Sequence, residues 1–186
     1  MKKMTLLKNR KSKKGFSLLE LLLVLGIIAA LVVAAFIVYP KVQASQRSQA
    51  ESNNIAAIQA GVKSLYSSTS NYTGLSNSVA IQAKIFPDNM LNGSKNLAYS
   101  SFGGDVALAS ENTGPTGALG SSFIITYYGV PPTECTKIMT AVAGNFYKAQ
   151  VESVIVKPVD GVLDVAETTR ACSLNRKITT LIFTSI

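Results

Sequence analysis

An uncharged, mostly apolar run from Leu21 to Tyr39 constrains this chain more than any other feature, and one carboxylate stands in front of it. Glu20 lies between Phe16–Leu19 and that run, which is long enough to cross a bilayer. An acid in such a span costs about 2.5–3.5 kcal/mol on insertion scales, so it calls for a partner or a purpose. The residues before Gly15 offer one. If the chain is cut after Gly15, the new α-ammonium of Phe16 lies one helical turn from Glu20. Two such helices, staggered side by side, can then pair amine with carboxylate.

The formal charge of +8 ordinarily points to nucleic acid or an acidic surface as partner. Position undoes that reading. Lys2, Lys3, Lys8, Arg10, Lys11, Lys13 and Lys14 all precede Gly15, and no acid does. Without them 11 basic residues face 10 acidic ones, a net of +1. The basicity belongs to a leader held in the cytoplasm by the positive-inside rule, and no direct nucleic-acid partner is expected. The chain has no histidine, which removes His-based triads, most zinc sites and the usual general base. No metal site and no cofactor are expected.

Three explanations of the apolar run compete. A secretory signal explains an apolar core and could be cut near Ala34-Ala35 or Val42-Gln43-Ala44, but it explains neither the length nor Glu20. A plain membrane anchor explains the length and not the acid. A basic leader, then Gly15, then Phe16-Ser17-Leu18-Leu19-Glu20, then a long apolar stretch resembles the processing site of type IV pilins. The resemblance implies cleavage after Gly15 by a membrane-embedded prepilin peptidase, methylation of the Phe16 amine, and a role in filament assembly for Glu20. It also implies an inner-membrane precursor, the pilus assembly machinery as partner, and a helical surface filament of identical subunits. The 15-residue leader, the 171-residue remainder and the wide cysteine spacing resemble the type IVb class, which includes toxin-coregulated, bundle-forming and conjugative thin-pilus subunits. Phe16 departs from that class and is more typical of short-leader pilins.

The expected organisation is a leader over 1–15, an apolar membrane and filament-core helix over 16–40, its amphipathic continuation over 41–67, and a head over 68–186. Val42, Ile55, Ile58, Val62 and Leu65 mark one face of the continuation, with Gln43, Gln46, Arg47, Gln49, Glu51 and Asn53 on the other. Pro40 should kink the helix and Gly26 loosen it. Both are tolerated membrane-helix residues; related pili suggest instead that the segment between them unwinds during assembly. Residues 67–122, rich in Ser, Asn, Gly and Thr, predict a long surface segment with short elements. In it, Phe102-Gly103-Gly104-Asp105-Val106 predicts a glycine turn feeding a strand. The sequons at Asn71 and Asn92 carry no expected role.

Strands are predicted at Ser122–Tyr128, Val151–Val156 and Ile178–Phe183. Pro131-Pro132-Thr133-Glu134 predicts a helix start with Thr133 as cap, followed by an apolar face of Ile138, Met139, Val142 and Phe146. A short helix over Val165–Cys172 should follow. Cys135 and Cys172 fit either one bridge in an exported protein or two separate buried thiols, and the export signal favours the bridge. In the pilin family the same bridge bounds a surface region, so the resemblance assigns that part to residues between Cys135 and Cys172. The expected fold is therefore α+β: a long N-terminal helix packed against a C-terminal antiparallel sheet, with one disulfide.

Two other functions fit parts of the pattern. A pseudopilin of a type II secretion system shares the leader and the acid, but usually lacks this disulfide and often has a calcium site of late acids. Asp160, Asp164 and Glu167 lack the Asp-x-Asp-Gly pattern for one. A membrane-anchored hydrolase would need paired carboxylates, for which Asp160 and Asp164 on one helical face are the formal candidates.

Overall fold

The computed structural model describes residues 17–174 and 177–186. The leader, Gly15 and Phe16 lie outside the described residues. The chain divides into two compact units, one ending at Val42 and one covering Gln43–Ile186. Helix α1, Leu18–Leu65, contributes to both and includes Gly26 and Pro40.

In the second unit, five strands form one antiparallel sheet: β1 Val106–Glu111, β2 Ser122–Val130, β3 Lys148–Val151, β4 Val154–Lys157 and β5 Thr179–Ser185. Their order is β1-β2-β5-β3-β4. The last strand in sequence therefore sits at the centre, between β2 and β3. Strand alternation puts Phe123, Ile125 and Tyr127 of β2 on the same face as Leu181 and Phe183 of β5, through the pairs Ile125 with Phe183 and Tyr127 with Leu181. All five are fully buried and form the heart of the core with Ile55, Ile58 and Val62 of α1.

The predicted single strand over Val151–Val156 is instead a hairpin. The chain reverses at Glu152-Ser153, with Glu152 at a φ of 53°. Non-glycine residues seldom adopt that conformation. Glu152 is held there by its own amide, which donates to the Thr180 carbonyl at 2.8 Å, and by its carboxylate, which accepts from the Thr180 amide at 2.8 Å. Polar residues between two valines mark the reversal, whereas the β-branched run around them reads as continuous strand.

Helix α3, Pro132–Val142, begins two residues earlier than a Thr133 cap predicts. Pro131 occupies the cap position and Pro132 the first helical position, where a missing amide proton costs nothing. Thr133 thus lies inside the first turn and donates its hydroxyl to Glu134 instead of capping. A short 3₁₀ turn, Ala143–Asn145, ends the helix, so Phe146 is not part of its face. It is still buried, with its ring centroid 5.0 Å from that of Phe183. Helix α4 is Val165–Leu174.

The polar stretch after α1 is less of a surface than its composition implies. It contains helix α2, Asn77–Gln82, and buries Leu75, Ala80, Ile85, Phe86, Met90 and Ala98. A few well-spaced apolar residues are enough, because each meets the edge of a core made elsewhere. Asn77 shows how the segment is fastened. Its side-chain amide donates to the Val106 carbonyl at 3.0 Å and accepts from the Leu108 amide at 2.6 Å, pairing with the outer edge of β1 as a neighbouring strand would.

Candidate functional site

In the first unit, the described helix Leu18–Phe36 has a mean hydropathy of 2.9 and no buried residue. Leu18 and Leu19 are each 75% exposed. Such a helix has the length and composition to cross a membrane. Glu20 lies in its first turn, where an acid favours the helix dipole. It makes no ion pair among the described residues.

The second half of α1 carries a different acid, which the hydrophobic pattern misassigns. Glu51, predicted on the solvent face, is 1% exposed. Conversely, Val42 and Leu65, predicted on the apolar face, are exposed. The buried stripe runs through Ser48, Glu51, Ser52, Ile55, Ile58 and Val62, so its upper half is polar. Ser48 and Ser52 satisfy themselves by donating to the carbonyls four residues back, of Ala44 and Ser48, each at 2.8 Å. Glu51 reaches out of the helix. One carboxylate oxygen accepts from the Ser101 amide at 2.6 Å and from the Ser101 hydroxyl, and the other accepts from the Asn54 side-chain amide at 3.3 Å. The buried Tyr127 phenol faces the same carboxylate. Burial, then the charge and hydrogen bonding of Glu51, push that phenol well above its ordinary value of 10.

Glu51 therefore fastens α1 to the predicted glycine turn. That turn is closed by the Gly103 amide on the Ser100 carbonyl at 2.9 Å, and a Cβ on Gly104 would lie 1.8 Å from the Tyr128 carbonyl oxygen. Gly104 is needed because two backbones meet there. Gln59, one face further along α1, donates to the Asn145 carbonyl and the Ser185 hydroxyl, both at 3.0 Å. The rings of Tyr66, Tyr72 and Phe123 form a chain with centroid separations of 5.5 and 4.7 Å, tying the end of α1 to β2.

Cys135 and Cys172 are joined, with Cα atoms 5.8 Å apart. The bridge connects the first turn of α3 to the last part of α4, and both sulfurs are buried. Between them, β3, β4 and the loop from Pro158 to Asp164 form one edge of the sheet and its border. The two carboxylates considered for hydrolysis do not share a helix. Asp164 precedes α4 and accepts from the Glu167 amide at 2.9 Å, acting as its cap. Asp160 sits in the preceding turn at a φ of 56°. Among the described residues no three metal-ligating side chains are grouped.

The fold described above matches that of solved type IV pilins. A type IVb pilin from Salmonella typhi covers 73% of this chain and 97% of its own, with a TM-score of 0.58 at 19% identity. TcpA, a type IV pilin from Vibrio cholerae El Tor biotype, gives a TM-score of 0.52 at 16% identity, covering 76% of this chain and 99% of its own. In sequence, residues 10–36 match the prokaryotic N-terminal methylation motif, and residues 45–186 match the family described as PilS N terminal. The chain is 25% identical over 104 residues to the major structural subunit of bundle-forming pilus from Escherichia coli O127:H6. That alignment covers 56% of this chain and 54% of the relative, so the chain spans about half the length of the curated relatives it matches. The chain belongs to the PilS family, and its fold is that of the type IV pilins.

Proposed function

We propose that this chain is the repeating structural subunit, not an enzyme, of a type IV pilus on the cell surface. The observation that carries the proposal is a lone acid, Glu20, on an exposed apolar helix within a match to the N-terminal methylation motif. The precursor is held in the inner membrane by that helix, with its basic leader in the cytoplasm. A prepilin peptidase cuts after Gly15, and the Phe16 amine is methylated. The assembly machinery then moves the subunit from membrane to fibre, where helices from many copies pack together. The segment between Gly26 and Pro40 loosens in that transfer. The region from Cys135 to Cys172 faces outward and sets what the fibre touches in adhesion, aggregation or conjugation.

In the fibre, Glu20 pairs with the Phe16 α-ammonium of a neighbouring subunit. In an apolar setting a misplaced neighbour leaves a charge unpaired, so the pair selects register. Glu20→Val should be processed and remain in the membrane but give no fibres alone, and it should enter them only when mixed with wild-type subunits. Glu20→Asp, which keeps the charge and shortens its reach, should be impaired less. Sheared-fibre yield and the processed fraction on immunoblots measure both. Glu20→Val fibres of normal number and length would remove the carboxylate from assembly.

A further inference from the structure

Two lysines near α2 stand where the backbone favours glycine, and both line one pocket. Helix α2 ends in a turn in which the Ile85 amide donates to the Ala80 carbonyl at 2.9 Å and the Lys84 amide to the Ile81 carbonyl at 3.0 Å. This pair of bonds places a left-handed residue just past the helix, where glycine or asparagine usually stands. Lys84 fills that position here, with a φ of 54°. A second turn follows, closed by the Lys95 amide on the Asn92 carbonyl at 2.8 Å and the Asn92 amide on the Leu97 carbonyl at 3.0 Å. Its left-handed position again falls to a lysine, Lys95, with a φ of 52°, and not to Gly93 of the same turn.

Among the described residues four non-glycine residues have positive φ, and these two lysines are half of them. A Cβ raises the energy of this conformation, and glycine avoids the cost. Packing does not explain either lysine. Lys84 is exposed and makes no ion pair among the described residues. Lys95 meets Asp88 at 3.2 Å with both side chains mostly in solvent, where such a pair contributes little. Backbone strain kept without a packing reason is characteristic of ligand clamps.

The pocket that the lysines share has a volume of about 410 Å³. Pro87 and Leu91, both half-buried, give it an apolar wall, and Gln82 and Asp88 give it polar atoms. Asp88 receives Lys95 through Oδ1, and its Oδ2 has no hydrogen bond among the described residues. Two cations against one acid leave a net of +1, which suits one negative charge. The polar atoms suit hydroxyl groups, and the wall suits a flat face of C–H groups. A hexuronic acid residue carries all three. An acyl chain would leave Gln82 and Asp88 unused, and a phosphate brings more charge than the rim balances.

We propose that this pocket binds a uronic acid residue of an acidic polysaccharide, with its carboxylate on Lys84 and its ring hydroxyls on Asp88 and Gln82. Lys95 holds Asp88 and adds to the positive field. The site belongs to the head and does not depend on the filament reading; a fibre that repeats it gains avidity.

The test is titration calorimetry on the mature full chain in detergent. The probes are the glucuronate–N-acetylglucosamine disaccharide of animal matrix, a mannuronate trimer of the kind found in bacterial exopolysaccharide, and neutral diacetylchitobiose. At least one acidic probe should bind about tenfold or more tightly than chitobiose, and about 0.5 M salt should weaken it severalfold. The tighter of the two acidic probes identifies the source. Lys84→Gly should weaken that probe about tenfold while the thermal midpoint stays level or rises, because glycine relieves the turn. Lys95→Gly should act in the same direction, whereas Lys137→Ala, at an exposed position on α3, should bind as wild type. Acidic and neutral probes that bind alike, no saturable heat up to about 20 mM, or Lys84→Gly that binds as wild type would each overturn the site. A Lys84→Gly midpoint below that of wild type makes the lysine a structural residue and overturns it as well. Each of these outcomes leaves the filament reading untouched.

Discussion

Replacing Glu51 with alanine should destabilise the head by about 2–4 kcal/mol, although hydropathy places this residue at the surface. The carboxylate accepts from the Ser101 amide and hydroxyl and from the Asn54 side chain. Hydrogen bonds to a charged group contribute about 1.5–3 kcal/mol each, and a buried donor left unsatisfied costs about 1–3. Two effects reduce the sum. Ser101 is exposed, so water can replace part of what its hydroxyl loses. Removing a buried charge also recovers some desolvation. Glu51→Gln keeps the volume and one acceptor oxygen and should cost only about 1–2 kcal/mol. Urea unfolding of the mature chain in detergent, followed by tyrosine near-ultraviolet circular dichroism, reports chiefly the second unit, which holds six of the seven tyrosines. A double-mutant cycle with Ser101→Ala should show coupling, since the two residues share a bond. If Glu51→Ala lies within about 0.5 kcal/mol of wild type, as ordinary surface substitutions do, the fastening of α1 to the glycine turn is not a stabilising contact.

Two further outcomes follow from the same core. Opening the Cys135–Cys172 bridge, whose partners are 37 residues apart, should cost about 4 kcal/mol in the chain-entropy treatment, so that Cys172→Ser yields subunits that are degraded and absent from fibres. Free thiols found by alkylating wild-type fibres would contradict this. The Tyr127 phenol is held neutral in the folded state above its ordinary value, so its contribution is full below pH 10 and is lost as pH rises through the folded value. Stability should therefore fall above pH 10, and Tyr127→Phe should flatten that fall while leaving the acid side unchanged; equal alkaline slopes for both proteins would exclude Tyr127 as the cause.

The sequence made some parts of this structure readable and concealed others for physical reasons. The apolar helix, the strands at β2 and β5 and the helices carrying Cys135 and Cys172 are legible because composition and period agree there. The β3–β4 hairpin was hidden because Glu152 adopts a left-handed backbone that its side chain stabilises from β5, a contact distant in sequence. The α1 stripe failed at its polar end. Glu51 stands four residues before Ile55 and seven before Ile58, so spacing alone places it on the buried face, while hydropathy places it outside. Spacing was the better guide, because a carboxylate can be buried where a turn brings donors to it.

Intact-mass analysis of subunits taken from sheared fibres tests the central claim most directly, because it joins processing, modification and assembly in one sample. The predicted species begins at Phe16, carries one added methyl group at its amino terminus and retains the Cys135–Cys172 bridge. A fibre-free preparation, an unmethylated start at Phe36 or Ser45, or an uncut leader on the assembled protein would contradict it.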